Sequence, residues 1–315
     1  LGISVLNILI TGANGFVGSA LVKALSKNKN NSLTLLDTAF SNVQRRSEEG
    51  IRFVEGSFSS EMVRQEFLKD GSDVLFHLAS VPGGAAEKNP DLSKAINLDA
   101  TLSLFDEVAM KSPQSRLVFS SSIAVLGQDL PQQVTDDTPV SPALTYGAHK
   151  AMAELALADM NRRKLLNAVS VRLPGIVARP LSNSGLKSAF MSDVFHALKK
   201  RASFVSPVSP NATLWIMSVQ QCVANLIQAS SINSDNLALK NAITLPAIRC
   251  SMVELIEEIN TQLNNQSNVV TYEPDDELER AFGSYPKLET LLADSIGLKH
   301  NGTLKNLVND VLENL

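Results

Sequence analysis

The chain is poor in the features that mark several functional classes. Two cysteines, Cys222 and Cys250, in 315 residues exclude a disulfide-built scaffold and any CxxC metal site. They are expected to be small buried thiols in a reducing compartment. Four scattered histidines, His77, His149, His196 and His300, make no metal-ligand constellation, so no metal is expected. No apolar run approaches the roughly 18–20 residues of a membrane helix. The longest near the start, residues 5–11, is interrupted by Asn7. The N-terminal residues lack the charged, apolar, small-residue order of a signal peptide, so a cytoplasmic location is expected. Basic excess is also missing: 28 Lys and Arg against 32 Asp and Glu give a net charge of −4, which favours neither nucleic acid nor an anionic membrane as partner. The Asn-X-Ser/Thr triplets at 30–32, 211–213, 265–267 and 301–303 are read as chance matches in an Asn-rich chain.

What is present is an alternation. Apolar runs at 5–11, 33–36, 51–54, 74–78, 117–120 and 168–173 read as strands. Between them, residues 15–27, about 60–69, 91–111 and 145–163 have the length or the 3.6-residue spacing of helices. Strands alternating with helices predict a doubly wound α/β fold of Rossmann type, with a parallel sheet of about seven strands, six or seven of them complete by residue 177. After about 178 prolines punctuate shorter elements, with helices expected near 186–201, 218–230, 251–263 and 302–313 and a loop at 203–213. The expected division is a dinucleotide-binding domain at 1–177, to which some later segments return, and a smaller substrate-binding lobe at 178–315.

The first strand runs into TGANGFVG, residues 11–18, which opens the first helix. In such a turn Gly12 permits the tight bend, Gly15 lets a diphosphate approach the backbone, and Gly18 lets helix and strand pack closely. The helix N-terminus then offers N–H groups and a positive dipole end to that anion. No Gly-Lys-Ser/Thr follows, so a P-loop is excluded. Asp37, at the end of the second strand, is placed to accept bonds from the adenosine ribose hydroxyls, and its charge repels a 2′-phosphate; the cofactor expected is NAD rather than NADP. Arg45 and Arg46 are expected to be a solvated surface pair.

Downstream, Ser120-Ser121-Ser122 ends the fifth strand, where ligands sit in such sheets. Tyr146 and Lys150 follow, four apart on one helix and so on one face. An ammonium beside a phenol stabilises the phenolate, so Tyr146 can take a proton from a substrate hydroxyl while hydride leaves the same carbon; a serine hydroxyl holds the oxygen.

Together, TGANGFVG (11–18), Asp37, FHLAS (76–80), INLDAT (96–101), FSSSIAVLG (119–127), YGAHK (146–150) and RLPGIVARP (172–180) resemble the extended short-chain dehydrogenase/reductases, the NAD-dependent epimerase/dehydratase family. The resemblance spans essentially the whole chain. It implies a diphosphate site at Gly12, Gly15 and Gly18 with the N–H groups of Phe16 and Val17, and Asp37 on the ribose. It further implies Leu78, Ala79 and Ser80 along the cofactor path, Asn97 as a structural or cofactor-side group, and Pro174, Gly175 and Ile176 against nicotinamide. Lys150 also binds the nicotinamide ribose in this scheme. Ser122, Tyr146 and Lys150 match the catalytic positions. Two positions depart from the pattern: Ser57 replaces the usual adenine-contacting aspartate, and Leu126 stands where nucleotide-sugar enzymes usually carry tyrosine.

Within the family, VTDDTPVSPALTYGAHKA (134–151), SAFMSD (188–193) and the Pro-rich loop before Leu214-Trp215 are similar to the D-erythronate dehydrogenase branch, which implies oxidation of the C2 hydroxyl of a small sugar acid. Ser80, Ser122, Arg179, Phe190 and Trp215 are the candidate substrate contacts. Arg179 is equally open to a structural ion pair, Trp215 to a core position, and Lys187 is expected to be solvated. His77 is expected to be a satisfied core histidine. Apolar positions on the 91–111 and 145–163 helices predict a homodimer through those helices, as the resemblance does. A nucleotide-sugar epimerase or dehydratase on the same scaffold, and a non-catalytic dinucleotide sensor, are the competing functions.

Overall fold

The aliphatic runs pair in parallel. The computed structural model describes residues 6–41, 50–181, 187–232, 242–265 and 270–315; Arg45, Arg46 and residue 5 lie outside them. The strands are β1 (Leu6–Thr11), β2 (Asn31–Asp37), β3 (Ile51–Glu55), β4 (Val74–His77), β5 (Arg116–Ser122), β6 (Gln133–Val134), β7 (Asn167–Leu173), β8 (Gly175–Val177), β9 (Phe204–Ser206), β10 (Thr213–Ser218), β11 (Ala242–Thr244), β12 (Ile248–Ser251), β13 (Val270–Tyr272) and β14 (Lys287–Leu288). Seven form one sheet in the order β11-β7-β5-β4-β1-β2-β3, every neighbouring pair parallel. The winding reverses between β1 and β4, the topological switch point where such sheets bind ligands.

Both faces of the sheet are covered, which is why its strands read as continuous apolar runs. Alternate residues face opposite cores. Ile8, Ile10 and Val118 pack with Leu21, Val22, Cys222 and Leu226 of the helices Phe16–Leu25 and Val219–Ser231. Leu9, Leu117 and Phe119 pack with Phe67, Leu104, Phe105, Ala153 and Leu157 of the helices Glu61–Phe67, Thr101–Lys111 and Thr145–Arg162. A further core joins β10 and β12 to the helices Phe190–Lys199, Met252–Leu263 and Leu304–Glu313.

Six strands of the main sheet precede residue 177, and the seventh, β11, returns from residues 242–244, within the expected count. Two details differ from the sequence reading. The expected loop at 203–213 contains β9, too short to show a period, which pairs in parallel with β13. The expected 91–111 helix is a short α-helix at Pro90–Ser93, a π-helical stretch at Lys94–Ala100 and an α-helix at Thr101–Lys111. Such inserted residues turn side chains that a regular helix would aim elsewhere.

The π stretch serves a buried polar chain. His77 ends β4 with no exposure. Its Nδ1 lies 2.7 Å from Thr11 Oγ1 and its Nε2 3.0 Å from Thr101 Oγ1. Thr101 Oγ1 already donates to the Ile96 carbonyl, and Thr11 Oγ1 accepts from the N–H groups of Leu78 and Ala79. Every group is satisfied when the ring is neutral and carries its proton on Nε2. Burial, with the charge of Lys150 adding to it, pushes His77 down to about 3.

Between pH 6.5 and about 3 the unfolded chain binds a proton at His77 that the folded chain does not. His77 therefore favours folding fully above pH 6.5 and progressively less below it. The ring resonances of His77 should not titrate by NMR between about pH 8 and 5; a midpoint near its unperturbed value of about 6.5 would contradict the buried network.

Candidate active site

The glycine turn is built as its spacing predicts, and the three glycines do different work. Gly12 has φ +70°, and a Cβ there would lie 2.7 Å from the Ala79 nitrogen. A Cβ on Gly18 would lie 2.0 Å from the Gly12 carbonyl oxygen. Both positions are closed by the protein's own backbone. Gly15 differs: a Cβ there would meet only the Gly12 oxygen, at 3.2 Å. Gly15 is the N-cap, with no side-chain cap, and the first full helical bond runs from Ser19 N to its carbonyl. The N–H groups of Phe16 and Val17 precede that bond, so the turn leaves donors and open space where an anion can approach.

Asp37 closes this turn from β2. Its Oδ2 accepts from Asn14 N at 2.9 Å, and its Oδ1 from Thr38 N at 2.7 Å and Thr38 Oγ1 at 3.3 Å, which leaves capacity on Oδ2 for a hydroxyl. Gly56 N donates to the Asp37 carbonyl, so Ser57 follows directly beside it; the Ser57 hydroxyl is bonded to Ser59 at 2.8 Å. The donor set, the open cradle and the negative charge of the carboxylate fit a dinucleotide with a free ribose 2′-hydroxyl.

At the other end of the cleft, β5 delivers three serines, each held by a different partner. Ser120 Oγ donates to the His77 carbonyl, Ser121 Oγ to Glu154, and Ser122 Oγ accepts from Ala124 N. The Thr145–Arg162 helix lies against them. Lys150, 1% exposed, reaches back to donate to the Ser120 carbonyl at 2.7 Å. Its Nζ stands 4.6 Å from the Phe119 ring centre and 5.6 Å from that of Tyr146. Burial pulls Lys150 down to about 7, against the negative charge of Glu154. Burial pushes the Tyr146 phenol up; the charge of Arg179 and a hydrogen bond with Ser80 act the other way. Glu87, from the short helix Gly83–Lys88, accepts from Thr145 N at 2.5 Å and so caps the helix one residue before Tyr146.

Arg179 follows β8. Its guanidinium lies 5.8 Å from the Phe16 ring centre, and among the described residues it has no carboxylate partner. Its main chain is fixed on both sides: the N–H donates to Ser192 Oγ and the carbonyl lies 2.6 Å from His196 Nε2. The cation thus bridges the glycine turn and Tyr146.

Other candidates lie elsewhere. Trp215 is fully buried, stacks on Tyr285 at 4.7 Å and donates its indole N–H to the Pro286 carbonyl; it is a core residue, not a pocket wall. Phe190, 5% exposed, packs in the C-terminal core, again a correction to the substrate assignment. Its helical spacing was legible, its inward direction was not. Asn97 is 1% exposed, and its amide is committed to both main-chain groups of Val81 and to Ser93; it fixes the loop that carries Ser80 rather than facing a cofactor. Ile176 points into the main core, and Gly175 lies so near the Trp215 carbonyl that a Cβ would stand 2.9 Å from it; the Pro174–Ile176 segment therefore offers main chain, not side chains. Lys187 pairs with Glu277. Leu126 is buried beside Trp215. Burial pushes both thiols, Cys222 and Cys250, up to about 12, which makes them inert. Among the described residues no helix is long and apolar enough to cross a membrane, and no group of His, Cys, Asp or Glu side chains is arranged to hold a metal.

Residues 8–212 match the model of the NAD dependent epimerase/dehydratase family. The chain belongs to that family. Two relatives named D-erythronate dehydrogenase are similar along nearly their whole length. The one from Cupriavidus necator is 31% identical over 89% of this chain and 90% of its own. The one from Haemophilus influenzae is 29% identical over 98% and 99%. Among solved structures of this epimerase/dehydratase fold, a nucleoside-diphosphate-sugar epimerase from Agrobacterium tumefaciens superposes with a TM-score of 0.88 at 25% identity, covering 99% of this chain and 95% of that one.

The glycines give a split prediction. Gly15→Ala should leave the melting temperature nearly unchanged and weaken NAD binding about tenfold, the scale of one lost charge-assisted hydrogen bond. Gly18→Ala should lower both, because its Cβ collides with the turn. Calorimetric titration and thermal melts of the two variants separate these outcomes, and equal behaviour would contradict the distinct roles.

Proposed function

We propose that the protein is an NAD-dependent oxidoreductase that oxidises the C2 hydroxyl of a small sugar acid, D-erythronate or a close relative, to the 2-keto acid. The observation that carries the reading is the setting of Tyr146. It stands on the helix whose Lys150 bonds the Ser120 carbonyl, two residues before Ser122 on β5; it bonds Ser80 and has two cations nearby, Lys150 and Arg179. Gly12, Gly15, Gly18, Phe16, Val17, Asp37 and Ser57 hold the cofactor, with Leu78, Ala79 and the Pro174–Ile176 main chain along its path. When bound, NAD supplies the hydride acceptor.

The remaining chemistry belongs to the chain. Tyr146 removes the hydroxyl proton, and the hydroxyls of Ser122 and Ser80 hold the substrate oxygen. A phenol near pKa 10 is a poor base at neutral pH, and burial makes it poorer. The charge of Arg179 and the Ser80 bond oppose the effect of burial, and the role assigned to the Lys150 ammonium is to stabilise the phenolate further. Arg179, a guanidinium with no carboxylate partner among the described residues, takes the substrate carboxylate as a planar two-point donor. Family membership and the two erythronate dehydrogenase relatives support the substrate class.

The division into a cofactor domain at 1–177 and a substrate lobe at 178–315 is part of this reading. So is a cytoplasmic location, with which two free buried thiols agree. We place a homodimer contact on the 91–111 and 145–163 helices, where Leu92, Met110, Met152 and Leu155 stand exposed.

The test is NADH absorbance on mixing the protein with NAD and four- to six-carbon sugar acids, both erythronates and both threonates included. D-erythronate should give a rise, and Tyr146→Phe should cut the rate by about 10²–10⁴. No rise with any acid would sink the substrate class and favour nucleotide-sugar epimerisation, which returns the hydride and is the name carried by the Agrobacterium structure.

A further inference from the structure

The helix that carries Tyr146 and Lys150 presents a third ionisable group on the same face. Glu154 lies one turn beyond Lys150 and two beyond Tyr146. It is 6% exposed. Ser121 Oγ donates to its Oε1 at 2.5 Å, and Arg172 holds it two-pronged, Nε to Oε1 at 2.9 Å and Nη2 to Oε2 at 2.7 Å. Ser121 and Arg172 are register partners on the adjacent strands β5 and β7. One carboxylate therefore ties two neighbouring strands to the helix at the point where the serine run ends. One turn earlier, Lys150 ties the same helix to the Ser120 carbonyl. The helix grips consecutive residues of β5 with consecutive turns, and Ser122 is the next residue along.

The electrostatic surroundings of Lys150 are unequal. From β4 it faces His77, which is neutral. From β5 it meets the Ser120 carbonyl and the Phe119 ring. Beyond Glu154, β7 contributes the cation Arg172; beside Tyr146, the segment after β8 contributes the cation Arg179. On its own helix stand Tyr146 and Glu154. Among the described residues acting on Lys150, Glu154 is the one negative charge.

We propose that Glu154 is a positioning residue for the Tyr146–Lys150 pair: its carboxylate clamps β5 and β7 to their helix and supplies the counter-charge that keeps Lys150 an ammonium, with Arg172 moderating that charge. The inference rests on the assignment of Tyr146 as base and Lys150 as its cationic partner. It adds a part that touches neither substrate nor cofactor. A buried ammonium with one carbonyl partner favours losing its proton, and a Lys150 that loses it no longer stabilises the phenolate. Glu154 and Arg172 also line a cavity of about 290 Å³, with Asp136, Val140, Ala151 and Leu155, so water has room to reach whichever member of the pair is left alone.

Two substitutions pull in opposite directions. Glu154→Gln keeps an amide oxygen to accept from Ser121 and removes the charge. Arg172→Met keeps the charge and removes its neutralising partner. The readout is the titration of Lys150 in the full-length protein carrying lysine labelled with ¹³C at Cε, with Lys150→Met assigning the resonance. From a starting midpoint of about 7, Glu154→Gln should move it down by about one pH unit, a tenfold change in the ammonium-to-amine ratio, and Arg172→Met should move it up. The alkaline limb of the kcat–pH profile should move the same way in each variant, whereas a purely structural part would lower kcat at every pH and leave the limb in place. Unmoved midpoints, or shifts of the same sign in both variants, would overturn the proposal. Opposite shifts in a protein that reduces no NAD with any sugar acid would sink the substrate reading and leave this inference standing.

Discussion

The hydrogen bond from the Lys150 ammonium to the Ser120 carbonyl is the constraint on which the site depends. It fixes the height of one helix against the end of one strand. Tyr146 and Ser122 sit one turn and two residues from its ends, so their relative placement follows from it. The bond also sets the site's chemistry. A lysine with 1% exposure keeps its charge only if the surroundings compensate for the lost hydration. The main chain supplies a carbonyl, and the same helix supplies a carboxylate one turn on. A single buried cation thus links helix register to strand position.

The opposite wall of the cleft is organised by exclusion rather than attraction. Gly12 and Gly18 have no room for a side chain because strand, turn and helix already touch there. Gly15 has room, and that open position faces away from the packing. Thr11, His77 and Thr101 join this turn to the loop after β4 and to the helix behind it. Asn97 holds the same loop one residue past Ser80. Buried polar groups thus hold both the cofactor turn and the loop after β4, and Ser80 at the open end of that loop carries the link to Tyr146.

Much of this was legible in the sequence because it is local. The glycine spacing, the acid at the end of the second strand and the tyrosine–lysine pair four apart are each a short-range pattern, and the strand, turn and helix that carry them are present. What was illegible depends on which strands become neighbours. Glu154 stands 33 residues from Ser121 and 18 from Arg172 and meets both only because β5 pairs with β7. The seventh strand of the sheet, three residues long, returns from residues 242–244 with no pattern of its own to announce it. Trp215 and Phe190 showed their size but not their direction; tertiary packing turned both into cores. Arg179 was ambiguous for the same reason, since only the folded chain shows whether a carboxylate waits beside it.

The central proposal is that this site takes a hydride from C2 of a small acid and a proton from the C2 hydroxyl, and releases NADH and the 2-keto acid. The direct measurement is the fate of deuterium placed at C2 of D-erythronate during turnover with NAD, followed by mass spectrometry. The account predicts that the label appears in released NADH and is lost from a 2-keto acid formed in equal amount. Label that stays on the sugar acid, or returns to it with inverted configuration and no free NADH, would contradict it.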